Sequence, residues 1–85
     1  MANYSILIKP SAAKELDDLP KTDLKRIAEK IKTLAGNPRP VGCEKLSGQE
    51  RYRVRQGNYR IIYEIQDIIR IVRIVKIGHR KEIYR

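Results

Sequence analysis

The stretch "RYRVRQGNYRIIYEI" (residues 51–65) alternates arginine with apolar or aromatic residues, passes through Gly57-Asn58, and alternates again. Two runs of period two separated by two turn-forming residues read as a β-hairpin. Successive strand side chains point to opposite faces, so Tyr52 and Val54 share one face and Arg51, Arg53 and Arg55 the other. On the partner strand Tyr59, Ile61, Tyr63 and Ile65 alternate with Arg60, Ile62 and Glu64. If both apolar sets face a core, Arg53, Arg55 and Arg60 converge on the open face. Like charges placed opposite one another repel unless an anion lies between them. Glu50 and Glu64 are the counter-charges within reach in the sequence, and an external phosphate is the alternative, because planar guanidinium forks match its oxygens.

The rest of the chain supplies the core. Downstream, a turn at Gln66-Asp67 leads into "IIRIVRIVKI" (68–77), apolar on both faces as a central or doubly covered strand would be. Upstream, "NPRPVGCEKLSGQE" (37–50) has turn-forming dipeptides and little periodicity, which makes it a connecting loop whose end Lys45-Leu46 anchors. In "KTDLKRIAEKIKTLAG", Leu24, Ile27, Ala28, Ile31, Leu34 and Ala35 follow helical spacing, with Gly36 as C-cap and Asn37-Pro38 as stop. Pro20 separates this helix from "AAKELDDL", where Ala12, Leu16 and Leu19 fall on one side and Ser11 offers a cap. "NYSILIKP" (3–10) reads as the first strand, ended by Pro10. The expected order is βααβββ: a single α+β domain over residues 1–85, with an antiparallel strand meander covered on one face by a helical hairpin.

Composition narrows the function. Nineteen Lys and Arg against ten Asp and Glu leave +9 on 85 residues. Residues 1–43 carry eight basic and five acidic groups (+3) and residues 44–85 eleven and five (+6), so the positive field is strongest in the second half. Such a balance points to polyanionic partners, nucleic acid first, or to an acidic protein. The single cysteine, Cys43, excludes an intrachain disulfide and a structural zinc site, and it has no His or Asp neighbour in sequence to make it a nucleophile. No apolar stretch is long enough to span a membrane and no leader is evident, so the expectation is a cytoplasmic protein without membrane contact. The segment "IGHRKEIYR" (77–85) adds His79, Arg80 and Tyr84, an imidazole, a guanidinium and an aromatic face, which are the groups that move protons, stabilise phosphoryl charge and stack bases.

Taken in order, "ILIKPSAAKELDDLP", "NPRP…KLSG", "YRVRQGNYRIIYEI" and "IVKIGHRKEIY" resemble the RelE branch of the RelE/ParE toxin superfamily across essentially the whole chain. The resemblance implies the small RelE-like fold and the toxin of a type II toxin-antitoxin module. It implies ribosome-dependent cleavage of mRNA in the A site, by attack of the message's own 2′-hydroxyl to give a 2′,3′-cyclic phosphate. No metal or cofactor is needed for that chemistry.

By position, the family's cleft residues fall on Arg53 and Arg55, and its phosphate-contacting arginine on Arg60. The leaving-group acid falls on Arg80 and the base-stacking tyrosine on Tyr84. Lys45 and Arg51 extend the RNA-binding set. Other members carry lysines where this chain has Arg53 and Arg55, and a guanidinium that stays protonated is a poor general base. The unperturbed imidazole of a histidine can accept a proton near neutrality, so His79 is the expected proton acceptor in their place. The implied partners are mRNA, the ribosome with its 16S rRNA, and a RelB-like antitoxin. Two other functions remain open on sequence: a ParE-like poison of DNA gyrase, and a non-catalytic basic module that binds RNA or the ribosome.

Overall fold

A computed structural model describes residues 3–46, 48 and 50–79. Strand β1 (Ser5–Ile8) runs into helix α1 (Pro10–Asp17) and helix α2 (Lys21–Gly36), and four strands follow: β2 (Glu44–Lys45), β3 (Arg51–Gln56), β4 (Tyr59–Gln66) and β5 (Ile71–His79). They form one sheet in the order β1-β5-β4-β3-β2. The last three strands are the antiparallel meander that the hairpin pattern predicts. The sheet as a whole is mixed, because β1 pairs in parallel with β5, Ser5 opposite Ile71 and Ile8 opposite Ile74. A parallel neighbour cannot be reached by a tight turn; here the two helices carry the chain from β1 to β2 at the opposite edge, and the strands that follow return it to β5 beside β1.

Pro10 opens a helix rather than closing a strand. It occupies the first helical turn, where a missing N–H costs nothing, and Lys9 rather than Ser11 is the N-cap residue, without a side-chain cap. Both helices lie on one face of the sheet. Ala12, Ile27, Ile31 and Leu34 interlock with Val54, Ile61, Tyr63, Val72, Ile74 and Ile77, all buried. The apolar stripe of α2 at helical spacing and the alternate residues of β3 and β4 are thus the two halves of one core.

β5 is an inner strand between β1 and β4, as its sequence suggests, but its apolar residues on both faces have a further cause. Between Ile62 and Tyr63 the register slips, so that Ile62 faces Lys76 and Tyr63 faces Ile74, leaving Val75 as an extra residue. This bulge restarts the alternation: Val72 and Ile74 face the helices before it, Ile77 and His79 after it. Glu15 of α1 holds the bulged stretch. Its Oε1 accepts the Ile77 N–H (3.0 Å) and its Oε2 meets Lys76 Nζ (3.4 Å). The apolar residues of "IIRIVRIVKI" reflect this slip and a four-residue turn containing exposed Ile68 and Ile69, with Arg70 at φ 56°, rather than two covered faces.

At the opposite end of the sheet, the proline-containing loop after α2 is pinned by a polar cluster. Arg39 bonds Asp67 through both guanidinium amino groups (3.2 and 2.9 Å) and donates from Nε to the Tyr52 hydroxyl (3.3 Å). Tyr4 donates to the same carboxylate (2.7 Å), and Tyr63 donates to the Pro38 carbonyl (2.7 Å). Arg39 first, then Tyr4, hold the Asp67 carboxyl down to about 2, against a reference of 3.8. A depressed carboxylate contributes stability in full above its unfolded pKa and loses it as pH falls through the folded one. Asp67→Asn is therefore expected to lower the melting temperature at pH 6. The gap to the unmodified chain should close between about pH 4 and pH 2, measured by circular dichroism.

Candidate nucleic-acid interface

The β3–β4 register fixes which charges meet. Arg51 lies opposite Glu64, Arg53 opposite Ile62 and Arg55 opposite Arg60, and on the other side of β4 Arg60 lies opposite Gly78. The face turned away from the helices therefore carries Arg51, Arg53, Arg55 and Arg60, together with Glu64 and Arg73. Gly57, at φ 60°, takes the positive-φ position that lets a two-residue loop close this hairpin with the twist of its strands.

Two carboxylates divide the face. Glu64 Oε2 accepts from Arg51 Nε (3.1 Å) and Oε1 lies 3.6 Å from Arg73 Nη1, so it ties three neighbouring strands together. Glu44, on the short edge strand β2 and opposite Arg53, accepts from Arg53 Nε through Oε1 (3.2 Å). The Glu44 carboxyl is held below its ordinary range by Arg53 first, with the fields of Arg55 and Arg60 adding to the effect. One carboxylate thus senses three guanidinium groups. Arg55 is exposed and has no acidic group within ion-pairing distance among the described residues. Arg60 is 1% exposed, so the open face expected from alternation is not open at that position. A buried guanidinium keeps its charge and is weakly screened by solvent, which makes its field on a bound anion stronger than that of its exposed neighbours.

Of the residues expected from sequence, Arg53, Arg55 and Arg60 are brought together. Arg51 shares their face but is engaged by Glu64. Lys45 is in register with Tyr52, hence on the helix side of the sheet edge, 3.8 Å from Glu50. His79 is also on the helix side: it lies opposite Tyr59, and the two rings meet edge to face with centroids 5.7 Å apart. The strand itself therefore separates His79 from Arg60, which removes the geometric basis for pairing them in one proton-transfer site. Arg80 and Tyr84 lie outside the described residues. Glu44 was hidden from sequence reasoning because a two-residue strand has no periodicity, although its position seven residues before an arginine-rich strand was the available signal.

The chain matches the model of the ParE toxin of type II toxin-antitoxin systems over residues 6–84. It is 36% identical over 86 residues to a Methanocaldococcus jannaschii protein named RelE1, with 96% of each chain covered. Its fold is that of the toxin in the archaeal RelE-RelB complex from Pyrococcus horikoshii, at TM-score 0.82 and 31% identity over 94% of this chain and 97% of that one. The toxin-antitoxin complex RelBE2 from Mycobacterium tuberculosis gives TM-score 0.82 at 25% identity, covering 91% and 98%.

The competition between Glu44 and an incoming anion for Arg53 has a measurable consequence. Glu44→Gln is expected to tighten the binding of a single-stranded RNA oligonucleotide several-fold. Arg53→Ala and Arg55→Ala should each weaken it and reduce the slope of log K against log salt by about 0.7. Fluorescence anisotropy across a salt series reads both.

Proposed function

Because the chain belongs to the RelE/ParE superfamily of type II toxins, we propose that it is a ribosome-dependent endoribonuclease that cleaves mRNA in the A site. The observation that carries this reading is the grouping of Arg53, Arg55 and Arg60 on one face of the hairpin, Arg55 opposite Arg60 and Arg53 paired with Glu44, on a protein with a net charge of +9.

In the proposed reaction the 2′-hydroxyl of the message attacks the adjacent phosphorus, its proton passes to a solvent water, and the bond to the 5′-oxygen of the next nucleotide breaks. The products are a 2′,3′-cyclic phosphate and a free 5′-hydroxyl. The nucleophile belongs to the substrate, so the protein's task is to hold the backbone and stabilise the charge that develops on the phosphoryl oxygens. Arg53 and Arg55 hold the backbone. Arg60, buried beneath the face and poorly screened, adds its field to stabilising the developing charge. Arg80 protonates the leaving oxygen and Tyr84 stacks the base. His79, on the other face of the sheet, is given no proton-transfer role. Alignment by the ribosome explains how a shallow surface suffices.

The same basic face suits an acidic antitoxin of the RelB type, which would compete with mRNA for the arginines; the Pyrococcus and Mycobacterium relatives are known as complexes of this kind. A second reading follows from the family model, whose description is that of ParE toxins, the gyrase-directed branch of the superfamily.

Primer extension on a defined mRNA, with and without ribosomes stalled with an empty A site, separates the readings. Cleavage at the A-site codon only with ribosomes is the expected result. Arg60→Met keeps the side-chain length and removes the charge. It should lower the cleavage rate by about two to three orders of magnitude while the melting temperature stays within a few degrees of the unmodified chain. His79→Ala should cleave within a few-fold of it. Absence of cleavage, together with gyrase-dependent DNA breaks, would overturn the ribonuclease in favour of the gyrase reading.

A further inference from the structure

On the helix side of the sheet, between the closed end of the β3–β4 hairpin and the first turns of α2, lies a cleft of about 190 Å³. We infer that this cleft takes a single unpaired guanine base of an RNA strand. The inference rests on the RNA-binding reading above and adds a place where the protein reads a base.

Six polar or aromatic side chains line the cleft: Asp23, Arg26, Gln56, Asn58, Tyr59 and His79. Tyr59 donates its hydroxyl to Asp23 Oδ2 (3.0 Å), which fixes the carboxylate at the wall. No described residue donates to Asp23 Oδ1, and an ionised carboxylate has about four acceptor sites in all. Guanine presents N1–H and N2–H side by side on its Watson–Crick edge and is the base best matched to such an acceptor pair. Adenine and cytosine offer an amino group next to a ring nitrogen that accepts. Uracil flanks its one N–H with two carbonyl oxygens that a carboxylate repels.

The remaining walls fit the rest of a nucleotide. Gln56 lies opposite Tyr59 in the hairpin register and so faces the cleft, and Asn58 follows Gly57 in the turn. Neither side-chain amide bonds a described residue, and each offers donors and an acceptor for guanine O6 and N7. The rings of Tyr59 and His79, set at 79° to one another, make an aromatic wall of the cleft. Arg26, on the wall next to Asp23, supplies a cation for the nucleotide's phosphate. Gln56 is three residues beyond Arg53 on the same strand, about 10 Å at strand spacing. An RNA backbone gripped on the arginine face can therefore round the hairpin end and present its next base to the cleft.

The test is an NMR titration of the full chain with 5′-GMP and 5′-UMP, then with the RNA pentamers UUGUU and UUUUU. The expected result is movement of the Gln56 and Asn58 side-chain amides and of the His79 ring, half-complete for GMP at a concentration roughly tenfold below that for UMP. UUGUU should move both these signals and those of Arg53 and Arg55. Asp23→Asn can still accept from Tyr59 but turns an amino group towards the guanine donors, and it should level the two nucleotides. Asn58→Ala, on the exposed turn, should weaken GMP without altering the arginine-face response.

Equal movement for GMP and UMP, or pentamer shifts confined to the arginine face, would overturn the cleft inference and leave the RNA reading standing. GMP moving the cleft signals while UUGUU does not would overturn an RNA strand as the source and assign the cleft to a free nucleotide. No response to either pentamer at low salt would overturn both readings.

Discussion

A strand with neighbours on both sides has no free edge, so its residues are distinguished only by the face they occupy, and β4 uses that constraint to divide the molecule. Ile61 and Tyr63 are fully buried under the helices, while Arg60, between Tyr59 and Ile61, is buried on the reverse face. A shift of one residue in the pairing of β3 with β4 would exchange the two sets and place guanidinium groups among Ile27, Ile31 and Leu34. The register is therefore held by the core, and the arginine face follows from it. The Gly57-Asn58 turn at one end and the Arg39–Asp67 pair at the other keep that register from drifting.

Much of this was legible in the sequence because period two and period 3.6 are local properties. The hairpin at residues 51–65, the amphipathic pattern of α2 and the antiparallel meander all follow from spacing alone. What could not be read is non-local. The parallel pairing of β1 with β5 depends on the helices carrying the chain to the far edge of the sheet and on the meander returning it. The bulge at Val75 depends on Glu15, a side chain from the other end of the chain, satisfying the Ile77 N–H. Pro10 was ambiguous for a local reason, since the same fixed φ that ends a strand suits the first turn of a helix.

The candidate site divides along the same line. Alternation was enough to group Arg53, Arg55 and Arg60. It could not foresee that Arg60 would be buried or that Glu44, on a strand of two residues, would supply the local counter-charge. The position of His79 shows how a single bulge alters a functional expectation. Carried through the bulged stretch without a slip, the alternation that points Val72 and Ile74 at the helices would turn His79 to the arginine face. With the slip it stands beside Tyr59 and Asp23. Two chemically different surfaces thus meet at the end of one hairpin, one built of guanidinium groups and one of amides, an aromatic corner and a carboxylate.

The parallel pairing of β1 with β5 also sets the order in which the molecule can be made. A ribosome releases β1 and both helices first, yet the strand that β1 must lie beside is the last of the described strands in chain order. Until β5 emerges, the apolar faces of α1 and α2 have little to cover, and non-local pairing of this kind is slow because the chain between the partners must be ordered before the contact rewards it. The β3–β4 hairpin can therefore pair early, whereas the sheet and the core beneath the helices are completed only once β5 takes its place between β1 and β4.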